Sequence, residues 1–202
     1  MISIQDLTSI LQRLASGKMA RGEAAAWAES CGGGYGEPNP FGSADKRGLA
    51  WSALNAVRAA SVSDDFLSEG DPYFLRPSDF EEWAATLRGD VILGVNEAGV
   101  RPLRLHELGE LRPTATLTGI SVDQVRGRLQ LQDLRGLDDL DYFQIILFQF
   151  DDVIFMLEWY PRSGPEATLY SASDHEPPVT PRLLGMVLEL SPAQTAAIFH
   201  GA

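Results

Sequence analysis

The chain has 202 residues, 45% of them hydrophobic and 22% charged, with a formal net charge of -12; it is long enough to bury a core without disulfides or metals, and its composition excludes a fibrous or wholly disordered chain. The acidity is spread over both halves, repels phosphate backbones and anionic membranes, and steers basic partners inward, which sets direct nucleic-acid and membrane binding aside. The single Cys31 rules out an intrachain disulfide framework.

The opening residues MISIQDLTSILQRLASGK lack the basic start and unbroken apolar run of a secretory signal. The longest apolar run, Ile145-Ile146-Leu147-Phe148, is too short to cross a bilayer. A cytoplasmic location is therefore expected. Ser3 is placed to cap a first helix whose Ile4, Leu7, Leu11 and Leu14 share a face, with Gly17 as its stop. A second helix is expected from Ala20 to Ser30 with Ala24, Trp27 and Ala28 inward, ended by a glycine-rich and proline-rich stretch. Asp45 caps a third, carrying Leu49, Ala53, Leu54 and Val57 on one stripe. Ser78-Asp79-Phe80-Glu81 has capping-box spacing and starts a fourth helix that buries Phe80, Trp83, Ala84 and Leu87 and closes at Gly89.

Beyond the fourth helix the apolar period changes. Residues 114–120, 125–132, 142–150, 153–160, 167–171 and 185–190 read as strands rich in β-branched, aromatic and Leu residues. Asp151-Asp152 forms a tight turn between two of them, both apolar enough for an interior position covered on two faces. Ser191-Pro192-Ala193-Gln194 repeats the capping-box pattern and predicts a short final helix through Phe199. The expected class is α+β: a helical subdomain over 1–90, then a mainly antiparallel sheet subdomain over 91–202 with a C-terminal helix, with one continuous domain as the alternative.

Several short strings invite a catalytic reading. His106-Glu107-Leu108-Gly109-Glu110 starts as a zinc-protease motif does, but Glu110 stands where the second histidine ligand belongs. Asp174-His175-Glu176 are adjacent and point in alternating directions, so they do not face one ion. Cys31 follows a helix C-terminus, where a thiolate is disfavoured. The glycines at 32–36 precede no G-K-[ST]. No catalytic residue, metal ligand or cofactor is assigned on these grounds, although a carboxylate-based or metal-assisted hydrolase using Asp138, Asp139 and Asp141 with His106, Glu107 and Glu110 stays open as an alternative. A regulatory or structural subunit, assembling through a sheet edge, is another.

The strongest polar feature is a set of acidic clusters: Asp64 and Asp65 with Glu69 and Asp71, then Asp138 and Asp139 with Asp141, then the Asp151-Asp152 turn. Loop carboxylates of this kind suit a docking face for Lys and Arg, with Phe66 and Tyr73 as aromatic anchors beside them.

The string LQRLASGKMARGEAAAWAES, a helix around Trp51 and then DPYFLRPSDFEEWAATL resemble the helical N-terminal portion of small immunity proteins from bacterial polymorphic-toxin systems, over residues 4–88. The family shares helix-Gly-helix openings with Glu-Ala-x-x-Trp-Ala; here Arg21-Gly22 stands in place of the usual small polar cap. The resemblance implies a cytoplasmic inhibitor that binds a cognate toxin, often a basic nuclease, and blocks it stoichiometrically. A protein partner, most concretely a basic toxin domain, is the expectation carried forward.

Overall fold

The computed structural model describes residues 2–33, 38–45, 48–63, 72–90, 97, 99–137, 141–164, 166–172, 182–189 and 195–198. The chain forms two compact units, one comprising Met1–Asp90 with Arg135–Tyr142 and the other Val91–Leu134 with Phe143–Ala202. It is an α+β protein, helical in its first half and antiparallel β in its second.

The first unit is built on four helices: α1 (Ile4–Ala15), α2 (Arg21–Ser30), α3 (Leu49–Arg58) and α4 (Pro77–Arg88). In α1 the Ser3 hydroxyl accepts from Asp6 N at 3.0 Å while the Asp6 carboxylate accepts from Ser3 N, so two otherwise orphaned amides are satisfied reciprocally. Its Leu7, Ile10, Leu11 and Leu14 are buried, and it packs on α4. Helix α2 packs on α3; its Ala24 and Ala28 are fully buried, whereas Trp27 is half-buried. Asp45 caps α3 from outside the helix, accepting from Ala50 N at 3.0 Å and Trp51 N at 2.8 Å.

Helix α4 begins earlier than its Ser78/Glu81 spacing suggests. Pro77 occupies the first turn, where its missing N–H costs nothing. Asp79 then falls three residues past Arg76 and accepts the Arg76 N–H at 2.6 Å, the role expected of Glu81. Gly89 ends the helix in the left-handed region at φ 73°, as the sequence indicates.

In the second unit six antiparallel strands follow the order β1-β4-β5-β6-β2-β7, where β1 is Val100–Pro102, β2 Leu111–Leu117, β4 Tyr142–Phe150, β5 Val153–Trp159, β6 Ala167–Ala172 and β7 Thr195–Ile198; β3 is Leu134–Leu137. Asp151 and Asp152 form the two-residue turn joining β4 to β5, both at positive φ (48° and 64°), the geometry whose twist matches the flanking strands. Strand β4 is buried on both faces; β5 alternates buried and half-buried positions, so only one of the pair meets the two-sided expectation. One sheet face carries Ile146, Phe148, Phe155, Leu157 and Leu169 into a core that Val125, Leu129, Leu183 and Leu188 complete.

Three expected elements differ. Residues 125–132 do not form a strand: α5 (Val122–Leu129) occupies most of them, because Ser121 and Gln124 make a capping box and Val125 and Leu129, one turn apart, face the core together. Of the strand expected over 185–190, the described residues 185–189 do not form one either. Leu183–Val187 make a single π turn closed by Leu188 N on Leu183 O at 2.8 Å, a five-residue step that brings Leu183 and Leu188 inward together. Finally, Thr195–Ile198 is a strand and not the expected helix, because β2 offers a free edge over Ala115–Leu117. Pro113 lies on the part of β2 that β7 does not reach, where its missing amide leaves no ladder bond unmade on that side. Both ends of the described strand order are short, β1 at three residues and β7 at four, which limits edge pairing.

Candidate functional site

The fold turns several of its arginines toward backbone carbonyls and ion-pair partners. Arg21 runs through the first unit: its guanidinium donates to the carbonyls of Ala60 at 3.1 Å and Leu75 at 2.5 Å, and lies over the rings of Tyr73 (4.4 Å) and Phe80 (5.3 Å). Arg58 closes the end of α2 by donating to Gly32 O and Gly33 O, reaches Asn55 Oδ1 at 2.6 Å, and stacks on Trp51. The Gly32, Gly33 and Ala60 carbonyls sit where α2 and α3 run out of intrahelical donors, so there the cations act as C-terminal caps, while Leu75 O lies just ahead of α4. In the second unit Arg128 does the same for Leu188 O. Arg126 pairs with the buried Asp133 at 3.2 Å, and Arg101 with Glu107 at 2.9 Å. What remains on the outside is biased: among the described residues exposed carboxylates outnumber exposed cations.

Asp79 is the deepest carboxylate of the first unit, 1% exposed. It accepts from the Arg76 guanidinium at 3.1 Å and 3.3 Å and from Arg135 N at 3.2 Å, so it ties the start of α4 to β3. Burial pushes its carboxyl above the ordinary range, against the pull of Arg76 and of the two backbone donors. The Arg135 side chain completes the tie by donating to Phe74 O at 3.0 Å and lying over the Phe74 ring. Phe74 in turn packs on Tyr142 at 4.9 Å.

That tie bears on the acidic clusters. Asp64, Asp65, Phe66, Glu69 and Asp71 lie outside the described residues, as do Asp138 and Asp139. Their described flanks converge. Ser63 and Tyr73 bridge to each other, and Phe74 N bonds Val62 O at 3.2 Å, so the chain leaves and re-enters the first acidic stretch at one point. The second stretch re-enters at Asp141, whose carboxylate accepts from Tyr142 N at 2.8 Å, and Tyr142 touches Phe74 next to that same point. Tyr73 is half-buried beneath Arg21. In the second unit Asp152 is exposed at the hairpin turn, while Asp151 is bound by Arg182, which also lies over Phe150.

Of the residues of the hydrolase alternative, Glu107 and Glu110 take structural partners. Glu107 accepts Arg104 N at 2.9 Å and the Arg101 guanidinium; burial pushes its carboxyl up, and the Arg104 amide and Arg101 together outweigh that and hold it below the usual value. Glu110 is exposed opposite Arg112 at 3.7 Å. Among the described residues no group of three His, Cys, Asp or Glu side chains is arranged to hold a metal, and no helix is long and apolar enough to cross a membrane. Cys31 is half-buried, its Sγ within hydrogen-bond distance of Trp27 O, and burial pushes its thiol up, which makes it a poor nucleophile.

The chain stands against protein-family models, curated proteins and solved structures as follows. None matches.

Sequence reading missed the inward arginines entirely. A lone Arg between helices carries no motif, and its carbonyl partners are backbone atoms that leave no trace in composition. The one local trace is that α2 ends without a basic residue in its last turn, which leaves its closing carbonyls open to a donor from elsewhere in the chain.

Proposed function

We propose that this chain is a non-catalytic binding protein that neutralises a basic toxin domain by direct contact, as bacterial immunity proteins do. The observation that carries the reading is the division of charge: arginines such as Arg21, Arg58, Arg128 and Arg135 point into the fold to cap carbonyls, while Glu23, Glu29, Glu81 and Asp152 stay exposed. A surface built this way attracts a cationic protein, speeds encounter and disfavours acidic competitors. The acidic stretches at 64–71 and 138–141, whose flanks meet at Phe74 and Tyr142, would contribute a concentrated contact region in the first unit.

The test is co-expression with any toxin encoded beside its gene, together with purification of the pair. Protection and a stable one-to-one complex are expected. A chain that neither protects nor co-purifies with that toxin would end the immunity reading.

A further inference from the structure

Between the last turn of α1 and the middle of α4 runs an open groove of about 260 Å³, lined by Gln12, Ala15, Ser16, Glu81, Ala84 and Arg88. We propose that it receives a single lysine or arginine side chain of the protein partner; the inference rests on the binding reading above and gives it a contact point.

The argument begins with size and floor. Ala84 is buried and Ala15 half-buried, so the floor is formed by two methyl groups and the space above them is unfilled. The volume falls below that of the usual small-molecule pocket but suits one long side chain. A Lys or Arg stem can lie along the alanines while its charged head stays at the water-facing rim.

Charge then selects the occupant. Arg88 is the one cation of the lining, and its guanidinium is already committed to Asp90 through contacts of 2.8 Å and 2.5 Å. Glu81, at positions i and i+7 relative to Arg88 and therefore roughly 10 Å along the helix, is exposed and forms no ion pair among the described residues. Ser16 spends its hydroxyl proton on the Gln12 and Arg13 carbonyls, so what it offers a ligand is oxygen lone pairs. The rim also lies at the C-terminal end of α1, the end of a helix that favours cations. The uncommitted polar atoms of Glu81 and Ser16 are acceptors, and an anionic side chain would meet Glu81 with no free cation to offset it.

The experiment is an amide-resolved NMR titration of the full chain with a lysine dodecapeptide at physiological salt, where diffuse surface attraction is screened beyond roughly 8 Å. Expected are shift changes concentrated at Gln12, Ser16, Glu81 and Ala84. Glu81→Gln, a change at an exposed position, should weaken the peptide by roughly threefold, Ala15→Leu should weaken it further by filling the groove, and the control Glu166→Gln, at an exposed position of the second unit, should leave it unchanged. Shifts spread evenly over the acidic surface, or equal effects of the Glu81 and Glu166 substitutions, would overturn the proposal. The two readings fail separately. A toxin bound as tightly by the Glu81→Lys variant removes the groove and keeps the immunity function, whereas peptide docking in the groove without any toxin protection does the reverse.

Discussion

Replacing Arg21 by Met removes a cation that no aliphatic side chain can imitate. Two carbonyls, on Ala60 and Leu75, lose their guanidinium donor, and both residues are fully buried, so water does not readily take its place. A hydrogen bond to a charged group contributes about 1.5–3 kcal/mol, and leaving a buried acceptor unmet costs about 1–3 kcal/mol. Loss of the cation from between Tyr73 and Phe80 adds about 0.5–1 kcal/mol. Because these effects share one side chain and the Met stem keeps part of the packing, the expected destabilisation is about 3 kcal/mol rather than their sum. Urea unfolding followed by circular dichroism measures it, with Arg13→Met on the exposed side of α1 as the reference, expected within about 0.5 kcal/mol of the parent. Arg21→Lys should recover part of the loss, since an ammonium still donates but does not fork between two carbonyls. If Arg21→Met unfolded at the same urea concentration as Arg13→Met, the inward arginines would not be structural and the charge-division argument would lose its basis.

Other expectations follow from single sites. Gly33 sits at φ 84°, and a Cβ there would meet the Trp51 ring and come within 2.8 Å of Pro40 Cδ, so Gly33→Ala should cost about 2–4 kcal/mol in the same assay through overpacking and backbone strain. Asp152 holds φ 64° in the β4–β5 turn, where Asp152→Gly relieves strain and should raise stability by about 0.5–1 kcal/mol. Glu107 has a carboxyl held below its ordinary value of 4.5; its contribution is complete above that value and is lost as pH falls through the lower folded-state value. Parent and Glu107→Gln should therefore differ most in stability near neutral pH and converge in acid. A gap that stayed constant with pH would assign the effect to packing.

The helical half was readable because its signals are local. Ser3 with Asp6, and Leu7, Leu11 and Leu14 at helical spacing, specify α1 within one short stretch. The Asp151-Asp152 turn was readable for the same reason, since two turn residues between apolar runs leave few alternatives. The errors are of more than one kind, a local signal passed over in one place and a long-range pairing in another. Residues 125–132 alternate at Leu129 and Leu131 and so resemble a strand, but the Ser121 and Gln124 cap one turn upstream sets a helix. The final strand exists through its ladder with β2, some 80 residues earlier, which no local pattern encodes. Of the candidate partner residues, Tyr73, Asp141, Asp151 and Asp152 have described positions, and Asp152 alone of these four keeps an exposed carboxylate without a bonded partner. Sequence could point to carboxylates but not to which of them the fold neutralises. Asp151 and Arg182, 31 positions apart, illustrate the difficulty.

The central claim is that surface carboxylates bind a basic protein, and kinetic binding of the full chain to the toxin domain encoded beside its gene, at low and physiological salt, tests it most directly. The account predicts a one-to-one complex whose association rate drops severalfold as salt rises while dissociation changes little. No complex, or an association rate indifferent to salt, would contradict it.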